Sequence, residues 1–317
     1  MESTWTKAAL PILEEARLAV GPEAVERLHV KTPWRHFAVT ARQFIFLFGC
    51  GAALWFVTHP LLVAPLAAIL GLTVFNFTVL LHEQLHQLIF ARPHPRWHRF
   101  LGQLYAFWSG ISAAQFTRWH LDHHRHLGSS TLDPKRHHLS PKINARWLKL
   151  LYFTPALFFI YFRAAARETA TYDEALRRKI ARERWVSIGG HLAIQAALVV
   201  FGGWGVWLRV YALPVGVFFP PAFALNRLGQ HYAIKTDDPA GWTTWVAGSW
   251  FWDFIYLHSD YHLEHHLFPS VPCYHLPELQ RRLVPFHERH GLRRWSYGGL
   301  FWGYIVRNRA PHTHWPG

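Results

Sequence analysis

Long apolar runs, rather than short periodic segments, dominate the pattern along this chain. Residues 61–81 form a run of 21 without a charged side chain. At about 1.5 Å of rise per residue, a helix of that length covers a hydrocarbon core of about 30 Å. Residues 37–57 are nearly as apolar, and Arg42 stands close enough to one end to reach polar surroundings along its own methylenes. Only Thr58, His59 and Pro60 separate the two runs, which predicts a tight helical hairpin. A second hairpin is read from residues 186–201 and 206–225, joined by Gly202, Gly203, Trp204 and Gly205. Its second limb holds Arg209, Pro214, Pro220 and Pro221, so a kinked helix is expected there. The apolar run 147–162 is short for a crossing and is expected to lie in or dip into the interface, as is 105–116.

Two hairpins make four crossings and put both ends of the chain on one side. Of the 33 Lys and Arg residues, 30 fall within 1–36, 82–147, 163–185 and 226–317, and the turns 58–60 and 202–205 contain none. The positive-inside rule then predicts a cytoplasmic location for all four basic segments and for both termini. The formal charge of +14 becomes a signal of topology and an attraction for anionic headgroups, not the footprint of a nucleic-acid partner. A chain that is 51% hydrophobic yet this basic does not read as a soluble domain. The expectation is one membrane-embedded domain over 1–317, with a cytoplasmic segment 1–36, a core 37–285 and a cytoplasmic tail 286–317. The first residues lack the order of a cleaved signal peptide, so the spans are expected to direct insertion. An excess of Arg over Lys, 26 to 7, hints at a bacterial source and hence an inner membrane. Cys50 and Cys273 stand too far apart in sequence to suggest a disulfide framework, a zinc site or a rubredoxin-type site. The 17 Trp and 11 Tyr suit interfacial belts.

Candidate chemistry lies in the histidines, of which there are 24. His82 and His86 follow the 61–81 run, four apart, and share one face if that helix continues. His120, His123 and His124 repeat spacings of three and four, and so do His262, His265 and His266. A lone helical histidine is more often a surface or satisfied core residue than a ligand. Three such groups, all on the predicted cytoplasmic side, point to metal. Imidazole leaves zinc, copper, iron and nickel open, but eight ligands exceed one zinc shell and suit two metals with open positions. Two adjacent redox-active metals favour oxygen chemistry. Residues 82–86 also spell HExxH, the signature of a zinc protease with Glu83 as base, but that reading leaves two histidine groups idle. Glu83, Asp122 and Glu264 are candidates for orienting an imidazole from behind. A non-enzymatic metal carrier would be expected to line a path with polar residues inside the spans. Little beyond Asn76 and Arg209 does so.

The runs LHEQLH (81–86), RWHLDHHRH (118–126) and YHLEHHLFPSVP (261–272) resemble the three histidine boxes of the membrane fatty acid desaturase superfamily. The resemblance runs from about residue 40 to 285. It implies an all-α membrane protein with four transmembrane helices in two hairpins and a cytoplasmic helical cap holding a dimetal site. It implies two iron ions held by His82, His86, His120, His123, His124, His262, His265 and His266, with O2 as co-substrate. Relatives use a ninth histidine after the fourth span, preceded four residues earlier by an asparagine. His231 matches it, with Asn226 five residues before as a candidate water-holding group. His126 and His258 stand beside boxes without occupying the family's ligand positions, and His94, His98, His137 and His138 are expected to face water or headgroups. The implied activity is oxygen-dependent desaturation of a fatty acyl chain in lipid. Hydroxylation or ketone formation on an alkane, carotenoid or sterol is the alternative on the same scaffold, since fold does not choose between them. The chain has no flavin, haem or CxxC motif of its own, so an external donor of ferredoxin, rubredoxin or cytochrome b5 type is implied.

Overall fold

In a computed structural model, the structure describes residues 4–129 and 131–312, with backbone alone for residues 4–7, 136 and 137. Regular structure among them is helical, apart from one parallel bridge between Val246 and Trp295. The chain divides into two compact units. Residues 32–117 and 152–223 form one, here called the span unit; 1–31, 118–151 and 224–317 form the other, the histidine unit.

The span unit contains the predicted first hairpin as helices Pro33–Phe56 and Pro60–Leu85, of 24 and 26 residues. Each opens on a proline, which needs no N–H at a helix start. With mean hydropathies of 1.5 and 2.0, both are long and apolar enough to cross a membrane. A third such stretch runs through Glu174–His231 with mean hydropathy 1.6. It is interrupted where the second turn is expected: Gly203 takes φ 76° and ψ 174°, which no helix uses. Beyond the break the backbone widens into π turns at Leu208–Ala212 and Pro214–Phe218 before the regular Phe219–His231 helix. Pro214 lacks the N–H that an α-helical ladder needs. Arg209 donates to the carbonyls of Leu54 and Trp55 at 3.0 and 3.2 Å, a cation on the open C-terminal carbonyls of the first span. Gly71 lets the Pro60–Leu85 helix approach this limb, for a Cβ there would lie 2.4 Å from the Pro214 carbonyl oxygen.

The shorter apolar runs are not continuous helices. Residues 147–162 divide between Arg146–Leu151 and Ala156–Thr169, and 105–116 between Pro95–Trp108 and Ala113–His126, with Gly110 at φ 71° in the break. Glu183 fixes the start of the Ala113–His126 helix. Its carboxylate accepts from the Ala114 backbone N–H at 2.9 Å, from the Ser112 hydroxyl at 2.7 Å and from Gln103 at 2.8 Å.

The core of the histidine unit packs Ala16 and Val20 of the Thr4–Val20 helix with Leu279, Leu283 and Phe286 of the Leu276–Arg289 helix. The same core takes in Leu263 and Leu267, so the short His262–Leu267 helix is held by its apolar side while its histidines turn the other way. His94 is exposed and His98 and His138 are half-buried, while the side chain of His137 lies outside the described residues. Cys50 and Cys273 are free thiols.

Candidate metal centre

Within the histidine unit, segments of three helices bring seven of the expected ligands together. His120, His123 and His124 lie on the last turns of Ala113–His126, His262, His265 and His266 on His262–Leu267, and His231 ends Phe219–His231. His123, His231, His262 and His266 are 1%, 3%, 4% and 2% exposed, and each offers a ring nitrogen within 4.8 Å of the others. Their Nε2 atoms form a series, with 3.0 Å from His123 to His231, 3.1 Å from His231 to His262 and 3.2 Å from His262 to His266. Beside them, His124 and His265 bring their Nε2 atoms to 3.2 Å, with the His120 ring 4.5 Å from that of His124. In the span unit, His82 and His86 sit at the end of Pro60–Leu85 with ring centroids 4.8 Å apart. The helix closes at Leu85, so His86 is its cap and not part of a continued helix.

Tautomers identify what these nitrogens can do. The Nδ1 of His231 is 3.0 Å from the carbonyl oxygen of Trp242, which can only accept, so Nδ1 carries the proton and Nε2 is a bare lone pair. The Nδ1 of His123 donates in the same way to the Asp133 carboxylate at 2.9 Å. The two bare Nε2 atoms therefore face each other at 3.0 Å. Two lone pairs at that distance repel unless a cation lies between them. Adjacent ligands at right angles around one ion, separated by 3.0–3.2 Å, correspond to metal–nitrogen bonds of about 2.1–2.3 Å, close to ordinary imidazole values. Burial pushes the pKa values of His123, His262 and His266 well below the ordinary imidazole range, so the rings stay neutral, the form that binds metal. The donor set fits a metal centre.

The groups behind the ligands differ from those sequence adjacency suggests. Asp122 accepts from Arg118 Nε at 2.6 Å, and Glu264 accepts from Gln280 at 2.9 Å and His287 at 3.1 Å. Glu83 keeps 4.0 Å from the His82 Nδ1, beyond a hydrogen bond. Asn226 donates to Ser259 at 2.8 Å and accepts from Gln230 at 3.0 Å. Asp133 does accept from a candidate ligand, and sequence reasoning missed it. It stands ten residues after His123, at no helical spacing, before Pro134 in a turn. Lys135 adjoins it, its ammonium pushed down to about 7 chiefly by burial and then by Arg227. His258 sits at φ 63° with its Nδ1 3.8 Å from the Asp253 carboxylate, and neither it nor His126 joins the histidine clusters.

The geometry agrees with comparisons to known proteins. The chain is 27% identical to the human sphingolipid delta(4)-desaturase/C4-monooxygenase over 254 residues, 75% of this chain and 70% of that protein. It is 25% identical to the sphingolipid delta(4)-desaturase of Drosophila melanogaster, covering 69% of this chain and 65% of the other. A beta-carotene ketolase from a Paracoccus species is 26% identical over 73% of this chain and 85% of its own length. The model of the family described as fatty acid desaturase matches residues 57–298, a stretch that holds the nine candidate ligand histidines, and the chain belongs to that family.

Proposed function

We propose that the chain is a membrane desaturase that removes two hydrogens from the acyl chain of a lipid. Two irons would be held by His82, His86, His120, His123, His124, His231, His262, His265 and His266. The facing bare Nε2 atoms of His123 and His231 carry this reading, because they demand a cation. Bound iron supplies the O2-derived oxidant that an unactivated C–H bond needs and no side chain offers. The chain's own residues hold the ligands ready for it. Asp133 and the Trp242 carbonyl keep protons on Nδ1 of His123 and His231, and burial keeps water from the rings. In the span unit, two apolar cavities of about 280 and 520 Å³ share Val74, Trp108, His191, Tyr211 and Val215, and they suit a lipid chain. A soluble one-electron carrier would supply the electrons.

The charge pattern and the Gly203 break support four crossings in two hairpins, with both turns outside and the histidines in the cytoplasm. The ketolase relative favours a second reading, in which the same centre adds oxygen. Expression of the chain in a host, followed by mass spectrometry of its lipids, separates the two: loss of two hydrogens is expected, and gain of an oxygen would select the second reading. Lipids unchanged in a host that supplies O2, iron and a working electron carrier would refute both.

A further inference from the structure

The histidine unit carries a buried hydrogen-bonded pair outside the histidine clusters. His287 and Glu264, both 0% exposed, meet at 3.1 Å between the imidazole Nε2 and the carboxylate. Glu264 stands on the His262–Leu267 helix, next to His265. On the other side of His287 lies Trp245, with ring centroids 4.8 Å apart. Trp245 is bonded through its carbonyl to the Trp295 backbone N–H at 2.9 Å, and Trp295 accepts from Ala247 at 2.7 Å. Ring contacts, hydrogen bonds and covalent bonds thus run without a gap from half-buried Trp295 to the ligand helix.

The outer end of this series is basic. The Arg293 guanidinium lies over the Trp295 ring at 3.9 Å, and that of Arg294 over Trp245 at 5.9 Å. Exposed Arg293 and Arg294 make no ion pair among the described residues, whereas Arg282 pairs with Glu278 and Arg289 with Glu15. Desaturation needs an electron source. The substrate carbons lose two hydrogens, and O2 takes those, two protons and two electrons to become two waters. Each of two dockings oxidises one carrier by one electron.

We infer that the face bearing Arg293 and Arg294 docks an acidic one-electron carrier protein, and that Trp245, His287 and Glu264 lead its electron to the helix of His265 and His266. This rests on the function proposed above. A positive surface recruits an acidic carrier and orients it during encounter. Electron transfer falls steeply with distance, so a contiguous aromatic and hydrogen-bonded series from the docking face favours entry there.

The test uses the full chain, iron-loaded, in lipid nanodiscs. Its probes are an acidic [2Fe–2S] ferredoxin and the soluble haem domain of a cytochrome b5. At least one is expected to bind, and salt should weaken the complex. Reversing charge in a double Arg293→Glu, Arg294→Glu variant should weaken it by about 10-fold or more, with iron content and melting temperature kept. His287→Phe should bind the carrier normally but oxidise it several-fold more slowly. Trp245→Leu, which leaves the Glu264–Gln280 bond in place, serves if His287→Phe does not fold. The inference falls if neither carrier binds, if charge reversal changes only the grip on anionic lipid, or if the folded route variants accept electrons at the normal rate. A chain that oxidises the carrier yet changes no lipid would overturn the proposed function and leave the docking face standing.

Discussion

Removing the Asp133 carboxylate should weaken metal binding more than removing the acid adjacent to a histidine box. Asp133 Oδ1 accepts from His123 Nδ1 at 2.9 Å and from the Lys135 backbone N–H at 3.0 Å, and both side chains of the Asp133–His123 pair are 1% exposed. Without that acceptor the His123 proton is free to move to Nε2, the atom that must bind metal. Loss of a partner behind a metal-bound histidine typically costs 10-fold to 100-fold in affinity or activity, about 1.4–2.7 kcal/mol. Asp133→Ala should fall in that range. Asp133→Asn keeps an oxygen in place for both bonds and loses only charge, so it should sit at the lower end, about 10-fold. In Asp122→Ala the lost bond is a helical pair with half-exposed Arg118, and the change should be about 2-fold. Iron affinity, measured by chelator competition on detergent-solubilised protein, reads all three. Normal affinity in Asp133→Ala, or an equal loss in Asp122→Ala, would refute the assignment.

Three further outcomes follow. His231→Ala should lose metal and activity by about 10-fold to 100-fold or more, while His258→Ala, outside the clusters, should retain both; the opposite ranking by iron assay would remove His231 from the ligand set. Gly71→Ala places a Cβ 2.4 Å from the Pro214 oxygen and should cost about 1–3 kcal/mol, seen as a lower melting temperature, with an unchanged melt as the contrary result. In a chain whose Cys50 and Cys273 are replaced by serine, an impermeant thiol reagent should label a cysteine at Thr58 and not one at Ser129 in intact cells, and the reverse pattern would sink the four-span topology.

The spans and boxes were legible because both are long or periodic patterns, and helical geometry converts such patterns directly into positions. Residues 61–81 predicted the core of Pro60–Leu85, and spacings of three and four put His120, His123 and His124 on one side of a helix. The orienting carboxylates were misread for the same reason. Each helical residue turns about 100°, so with histidines at the first, fourth and fifth positions of a box, Asp122 and Glu264 at the third position point about 200° from the first and face away from the ligand side. One reaches Arg118 and the other Gln280 and His287. Asp133 reaches His123 through a turn, and the Trp242 carbonyl reaches His231 from outside its helix, contacts that periodicity does not encode. The position of His231 was readable from its place after a span. Asn226, five residues earlier, engages Ser259 and Gln230 instead.

The Trp242 carbonyl is itself held by a turn whose stability depends on charge. Lys235 N–H donates to Gly241 O at 2.8 Å, and Asp238 accepts from the Ala240 N–H at 3.0 Å and from His290 Nδ1 at 2.8 Å. Burial alone would raise the Asp238 pKa, but the His290 and Ala240 hydrogen bonds, with Lys235 at 3.6 Å, hold it below its ordinary value. A carboxyl depressed in the fold contributes stability that is complete above its unfolded pKa of about 3.9 and is lost as pH falls through the folded value. Amide protection at Lys235 and Gly241, corrected for intrinsic exchange, should therefore hold from about pH 7 to 5 and decline below about pH 4. Asp238→Ala should bring the same loosening to neutral pH. It removes a helix cap, about 1 kcal/mol, so iron affinity should fall by no more than about 5-fold through the freed Trp242 carbonyl. Asp238→Asn retains the cap oxygen and should lose less. Protection that already declines between about pH 7 and 6 would assign control to a group other than Asp238, and this account of the turn would be wrong.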